Sequence, residues 1–252
     1  MREIFLSFEF VTEEELAEGI EMLVSRSGLT PVSLDRAYLH VATHLDIARL
    51  VDDTGSDCGL GHRPENPPLL QQFRSLKERG LREVTLVDDV VFTGELVERI
   101  IHCLSRLGIR VPLVCAGIGI AEGIHRINQS KREVRCVRRY EEVIDEVCER
   151  DFYPGVPFSG RLLAGDGNFG LPYLLPFGNP GKWASIPTEW QARFSQFCIE
   201  QTIRLFERIE KYSNRVVSCA ELGRMVATLP QDRTRFVDTL QALYQNQLRR
   251  KR

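Results

Sequence analysis

Residues 84–96 read VTLVDDVVFTGEL. The apolar and β-branched lead-in, EVTLV at 83–87, predicts a short buried strand. That strand delivers two adjacent carboxylates, Asp88 and Asp89, and after an apolar spacer Thr93 and Gly94 open a helix. A helix N-terminus carries backbone N–H groups without intrahelical partners and a partial positive charge. The turn over 91–95 can therefore hold a phosphate dianion, with the Thr93 hydroxyl adding a bond and Gly94 allowing close approach. Asp88 and Asp89 then lie one ribose width away, where carboxylates accept bonds from vicinal hydroxyls or hold water around Mg²⁺. The competing reading is that any strand-to-helix turn favours acidic, Thr and Gly residues.

Working outward, the helix expected over 95–107 places Val97, Ile100, Ile101, Leu104 and Leu107 on one stripe and stops at Gly108. VPLVCAGIGI at 111–120 follows as a second buried strand, and EVRCVR at 133–138 as a further one. Upstream, 3–10 reads as a strand, Thr12 and Glu15 form a capping box for a helix running to about Arg26, and 69–79 is a helix closed by Gly80. The stretch 34–51 fits either one long helix or a strand followed by a helix, and 52–68 (DDTGSDCGLGHRPENPP) reads as a long loop. Helix, strand, turn, helix, strand is the order of an α/β protein with a parallel sheet.

The C-terminal third differs in character. Residues 151–187 are dense in Gly, Pro and aromatics and predict an irregular cap. Beyond Pro187 the pattern is helical, with Trp190, Phe194, Phe197, Cys198, Ile203, Phe206 and Ile209 at helical spacing. Ser218 and Glu221 make a second capping box, and a last helix over 231–248 leads into RRKR. The expected division is a main domain over 1–185, with 151–185 as its hood, and a helical region over 186–252.

The 252 residues are 43% apolar and 27% charged, an ordinary globular composition. Net charge is −2, which argues against nucleic acid or an anionic membrane as the partner of the whole chain. Residues 186–252 nevertheless carry 12 Lys+Arg against 7 Asp+Glu, so this region keeps a nucleic-acid contact open as an alternative. Seven cysteines without a CxxC pair suggest buried thiols rather than a disulfide framework or a zinc site. Acidic residues directly after the first short apolar stretch, and no apolar run approaching 18 residues, predict a cytoplasmic protein without a membrane span.

The motif at 84–96 resembles the phosphoribosyl pyrophosphate (PRPP) signature of type I phosphoribosyltransferases: a hydrophobic strand, two acids, a short apolar spacer and a Thr/Gly-rich phosphate loop. The resemblance implies a phosphoribosyltransferase-like parallel sheet flanked by helices, with an irregular hood and here a C-terminal helical appendage. It implies Asp88 and Asp89 as the catalytic, ribose-binding pair, also able to hold the Mg²⁺ that accompanies PRPP. Val91, Phe92, Thr93, Gly94, Glu95 and Leu96 would form the 5′-phosphate loop. Two positions depart from the family pattern: Phe92 replaces a small or hydroxyl residue, and Leu96 replaces Thr or Ser. No Gly-rich pyrophosphate loop follows the first core strand, the nearest candidates being 40–46 and 53–61. His62 and Arg63 are secondary candidates for pyrophosphate, and Phe152, Tyr153 and Arg161 for the acceptor hood. GDGNFG at 165–170 spells a dinucleotide fingerprint, but Pro172 and Pro176 follow in place of a helix. His40 and His44, four residues apart, would share one face if their segment were helical, and without a nearby HExxH acid they make a weak metal pair.

Two functions are compatible with these residues. In the first, the protein is a glycosyltransferase that binds PRPP and Mg²⁺, passes phosphoribose to a nitrogen acceptor such as a nucleobase, and releases pyrophosphate. In the second, it is a non-catalytic sensor of a phosphorylated ribose or nucleotide. Its basic helical region would then contact nucleic acid, through a helix-turn-helix over 218–229 and 232–248, or a protein. The apolar stripe from Trp190 to Phe206 would also suit a second copy of the chain.

Overall fold

The computed structural model describes residues 1–34, 39, 41–165 and 167–249. In chain order the helices and strands are α1 (Glu13–Ser25), β1 (Thr30–Ser33), β2 (Ile47–Val51), β3 (Asp57–His62), α2 (Leu69–Glu78), β4 (Glu83–Val91), α3 (Glu95–Arg106), β5 (Arg110–Ile120), α4 (Ala121–Gln129) and β6 (Glu133–Tyr140). They continue with β7 (Arg161–Leu163), β8 (Phe169–Leu171), α5 (Pro180–Trp183), α6 (Thr188–Ser213), β9 (Met225–Val226) and α7 (Phe236–Arg249). The chain divides into two compact units, a sheet unit of Ser7–Ile47 and Gly61–Ile144 and a second unit of Met1–Leu6, Ala48–Leu60 and Asp145–Arg252. The boundary therefore falls at 144/145 rather than 185/186, because the expected hood shares its core with the C-terminal helices. Among the described residues no helix is long and apolar enough to cross a membrane.

The sheet unit has the expected α/β architecture, a four-stranded parallel sheet of order β1-β4-β5-β6 flanked by helices. Side chains alternate across a strand. Val87 pairs with Cys115 in the ladder, and both pack with Ile20 of α1. Their neighbours Leu86 and Val114, also paired and fully buried, point to the opposite face. α1 starts as its sequence requires, with the Thr12 hydroxyl accepting the Glu15 N–H at 3.2 Å. α3 buries Val97, Ile100, Ile101 and Leu104, the stripe anticipated for it.

Several segments depart from expectation for identifiable reasons. β4 runs to Val91 rather than stopping at Val87, so Asp88 and Asp89 lie within the strand, Asp88 opposite Ala116 of β5. Residues 3–10 form no strand: Ile4 and Phe5 donate to the Met1 carbonyl in a turn, and the stretch straddles the two units. Part of the expected loop over 52–68 is β3, hydrogen-bonded beside β2. The Asp52 carboxylate closes the intervening turn by accepting the backbone N–H groups of Thr54 and Ser56. Residues 41–46 are not helical, since His44 bridges Ser33 in parallel fashion, which removes the shared helix face invoked for His40 and His44; His40 lies outside the described residues.

In the second unit a five-stranded sheet of order β3-β2-β7-β8-β9 accompanies the helices. Phe152, Leu174 and Phe177 are buried in one core with Phe194, Ile199, Phe206 and Phe236. The capping box at Ser218 and Glu221 is formed, but it opens a single 3₁₀ turn, Cys219–Glu221, followed by β9. No helix spans 218–229, so the expected helix-turn-helix is absent there. The glycine run at 165–170 leads into β8 rather than a helix, in keeping with its prolines.

Candidate functional site

Parallel strands present all their carboxyl ends at one edge, where loops and helix N-termini gather. At that edge of the sheet unit, central strand β4 carries Asp88, 6% exposed, and the half-buried Asp89. Each carboxylate accepts the next residue's N–H, Asp89 to Asp88 at 3.1 Å and Val90 to Asp89 at 2.8 Å, which fixes both side chains against the strand. The chain then turns through Phe92, Thr93 and Gly94 into α3. Gly94 caps the helix at φ +78°, a left-handed conformation that disfavours any side chain. The first intrahelical bond is Glu98 N–H to the Gly94 carbonyl at 3.0 Å, so the N–H groups ahead of it have no acceptor inside the helix. The Thr93 hydroxyl lies 3.4 Å from the Glu95 N–H.

A second helix presses on this turn. α4 leaves β5 directly, and a Cβ on its Gly123 would stand 2.3 Å from the Phe92 carbonyl oxygen and 2.9 Å from the Gly94 nitrogen. Arg126 of α4 lies 3.8 Å from Glu95, 3.8 Å from Glu98 and 3.7 Å from Glu122, placing one cation among the carboxylates that border the turn. Sequence reasoning missed α4. The spacing of Ile120, Ile124 and Ile127, buried in the structure, was the available mark of a helix.

The predicted phosphate-loop residues are thus brought together, with differing means of reaching a ligand. Val91 is buried and offers only its backbone; Phe92, Thr93 and Leu96 are half-buried; the Glu95 carboxylate turns toward Arg126. Of the secondary candidates, His62 ends β3 and is exposed. Arg63 is tied to the preceding segment, its N–H to the Asp46 carbonyl and its Nε to the Ile47 carbonyl, both at 2.9 Å.

Phe152, Tyr153 and Arg161 belong to the second unit. Phe152 is a core residue, edge-to-face with Phe194 at 5.0 Å and Tyr173 at 6.3 Å. Burial raises the pKa of the Tyr153 hydroxyl, which donates to Glu149. Arg161 lies over Trp183 at 4.9 Å and Tyr173 at 5.7 Å, and burial pushes the Tyr173 hydroxyl up to about 12.

No family model and no curated protein matches the chain. Solved structures similar to about half of it include three from different organisms. Leishmania donovani UMP synthase is 14% identical with a TM-score of 0.32, the match covering 50% of this chain and 27% of that one. Mycobacterium tuberculosis orotate phosphoribosyltransferase in complex with PRPP is 13% identical with a TM-score of 0.31, covering 49% and 70%. Giardia lamblia APRTase complexed with 9-deazaadenine is 12% identical with a TM-score of 0.34, covering 52% and 80%.

Proposed function

We propose that the protein binds a phosphorylated ribose at the β4–α3 turn and acts as a phosphoribosyltransferase, taking PRPP as donor and a nitrogen nucleophile as acceptor. The observation that carries this reading is the placement of Asp88 and Asp89 at the carboxyl end of a central parallel strand, directly ahead of a left-handed glycine cap. The 5′-phosphate takes the backbone N–H groups of the α3 N-terminus and the Thr93 hydroxyl; the two carboxylates take the ribose hydroxyls. Transfer forms the acceptor N–C1 bond as the C1–O bond breaks, its electron pair leaving on pyrophosphate. The protein's share of catalysis is positioning and electrostatic stabilisation.

Asp88 and Asp89 offer the carboxylate oxygens that Mg²⁺ prefers, and no group of three or more metal-ligating side chains stands among the described residues. This donor set fits an ion held by one or two carboxylates together with substrate phosphates and water, which would neutralise charge on the leaving group.

The test is calorimetric titration of PRPP with Mg²⁺ into the wild type and Asp88→Asn/Asp89→Asn, followed by a screen of nucleobases for pyrophosphate release. Binding lost in the double variant, with turnover on one acceptor, is the expected result. Binding without turnover on any acceptor would favour the sensor, and no binding by folded wild type would overturn both.

A further inference from the structure

We propose that the second unit holds a phosphate-binding site of its own, formed by Arg49, Arg161 and the indole N–H of Trp183. The site takes no group from the β4–α3 turn and does not depend on the reading of that turn. β2 and β7 run parallel, with Leu50 beside Leu162 and Val51 beside Leu163. The residue before each of the first pair is an arginine, so the same register sets Arg49 beside Arg161, about 5 Å apart at the backbone. Side chains alternate across a strand, which puts both arginines on the face of Val51 and Leu163. Trp183, Leu171 and Tyr173 pack on that face.

Like charges directly opposite one another destabilise a sheet, and among the described residues neither guanidinium forms an ion pair. Asp151, whose charge acts on the Tyr173 hydroxyl together with those of Arg161 and Arg49, accepts the Gly160 N–H at 2.8 Å. Arg161 lies with its guanidinium over Trp183 at 4.9 Å and over Tyr173 at 5.7 Å. A guanidinium stacked by its face presents its N–H edge to an oxoanion. Its Nε is buried without a partner, and so is Nε1 of Trp183, a residue only 4% exposed. Buried donors left unmet are costly, and two of them in one stacked pair mark a place where an acceptor belongs. The indole is fixed in this position by two glycines, since a Cβ on Gly178 would stand 2.3 Å from its Cζ3 and one on Gly55 3.0 Å from its Cζ2. Nε1 therefore lies on the opposite side of the ring from Gly178. Two guanidinium charges and one neutral N–H match a phosphate dianion, whose oxygens accept from all three. A carboxylate would leave one cation uncompensated.

The chain has two tryptophans, Trp183 and Trp190, so Trp190→Phe leaves Trp183 as its one indole. The experiment titrates inorganic phosphate, glycerol 3-phosphate and acetate into this variant at constant ionic strength, reading Trp183 emission and melting temperature. Phosphate is expected to change the emission saturably and to raise the melting temperature, and acetate to do neither at the same concentration. Adding Arg49→Gln, at an exposed position, is expected to weaken phosphate about tenfold, the worth of one charge-assisted hydrogen bond, without lowering the melting temperature in phosphate-free buffer. Adding Gly123→Ala, which disturbs the β4–α3 turn, is expected to leave the Trp183 response unchanged. The difference in phosphate-induced melting shift between wild type and Arg49→Gln tests the same point with no tryptophan replaced. No saturable response, or one that Arg49→Gln leaves intact, overturns the inference whatever the turn binds. A response lost in Gly123→Ala assigns the phosphate to the turn and also overturns it, and equal binding of acetate overturns phosphate as the ligand class. Glycerol 3-phosphate binding as tightly as inorganic phosphate supports the site as one for a phosphate monoester, and its exclusion supports a site for the free anion.

Discussion

A Cβ on Gly123 would lie 2.3 Å from the carbonyl oxygen of Phe92, closer than any real side chain tolerates. The second helix of the site thus holds the turn by backbone contact, leaving no slack for a methyl group. Gly123→Ala must push the 92–94 turn away from α4, and misplaced donors lose a dianion sharply. Affinity for ribose 5-phosphate is expected to fall about tenfold or more, together with a clear loss of melting temperature, because the clash is with backbone atoms. Titration and melting on the same sample separate the two effects, and unimpaired binding would show that the turn does not hold the phosphate.

Arg126 faces three carboxylates, Glu95, Glu98 and Glu122, at 3.7–3.8 Å. Their negative charge opposes a phosphate dianion at the α3 N-terminus, and the guanidinium offsets it. Arg126→Ala should weaken ribose 5-phosphate binding about fivefold at low ionic strength and progressively less as salt rises, because exposed charges are screened within about 8–10 Å. A loss independent of salt would mean that Arg126 acts through packing.

The second unit carries a different electrostatic dependence. Arg235, just ahead of α7, grips the Glu210 carboxylate of α6 with two nitrogens, and the same carboxylate accepts the Val217 N–H. The Arg235 bond, with that backbone N–H adding to it, holds Glu210 below the ordinary value of 4.5. A depressed folded pKa gives stability that is complete above the unfolded value, erodes as pH drops below about 4.5, and is lost once pH passes the lowered folded value. Glu210→Gln should remove this pH dependence. Arg235→Met should cost about 2 kcal/mol at pH 7, less than a fully buried pair because the guanidinium is partly exposed. Denaturant unfolding across pH 3–7 measures both.

The order of elements from residue 69 to 120 was legible because each element there follows a simple local rule, whereas α4, just beyond, was missed. The stripe from Val97 to Leu104 needs one face of α3 buried, and the apolar run of β5 needs both faces covered. The pair Asp88 and Asp89 was legible for the same reason, since only two adjacent acids interrupt that apolar grammar. What escaped depends on contacts distant in sequence. Residues 3–10 look like a strand, but Ile4 and Phe5 are claimed by the core around Phe194 and find no neighbouring strand. His44 looked like one of a helical pair until Ser33 supplied a strand for it. Arg126 carried no mark at all, because a surface arginine gains meaning only from the turn of Glu95 that folding brings to it. The domain boundary failed likewise, since the core shared by Phe152 and Phe194 joins residues that composition alone had separated.

The thiols offer a check on burial that is independent of any ligand. Burial pushes Cys136 up to about 11 and Cys198 up to about 12, whereas Cys58 on β3 is exposed. Since the thiolate is the reactive form, iodoacetamide at pH 8 should label Cys58 first and Cys198 only on unfolding. Peptide mapping by mass spectrometry follows the order, and early labelling of Cys198 would contradict its place in the core.

Phe92 and Leu96 provide the most direct chemical test of the turn, because both stand where a hydroxyl would add a phosphate donor. Each is half-buried beside Thr93, whose hydroxyl is the one side-chain donor on the turn itself. If the phosphate is held largely by backbone N–H groups, the site is complete but weak, and added hydroxyls should strengthen it. Leu96→Thr places a β-hydroxyl in the first turn of α3 with little loss of apolar contact, and Phe92→Thr does so at greater cost in packing. Affinity for ribose 5-phosphate is expected to rise about fivefold in Leu96→Thr, a typical return for one new hydrogen bond, and by less in Phe92→Thr. Titration of both variants decides the matter. A rise in Leu96→Thr that vanishes when Gly123→Ala is added would tie the new hydroxyl to the same turn, whereas no rise in either variant would place the phosphate away from these side chains.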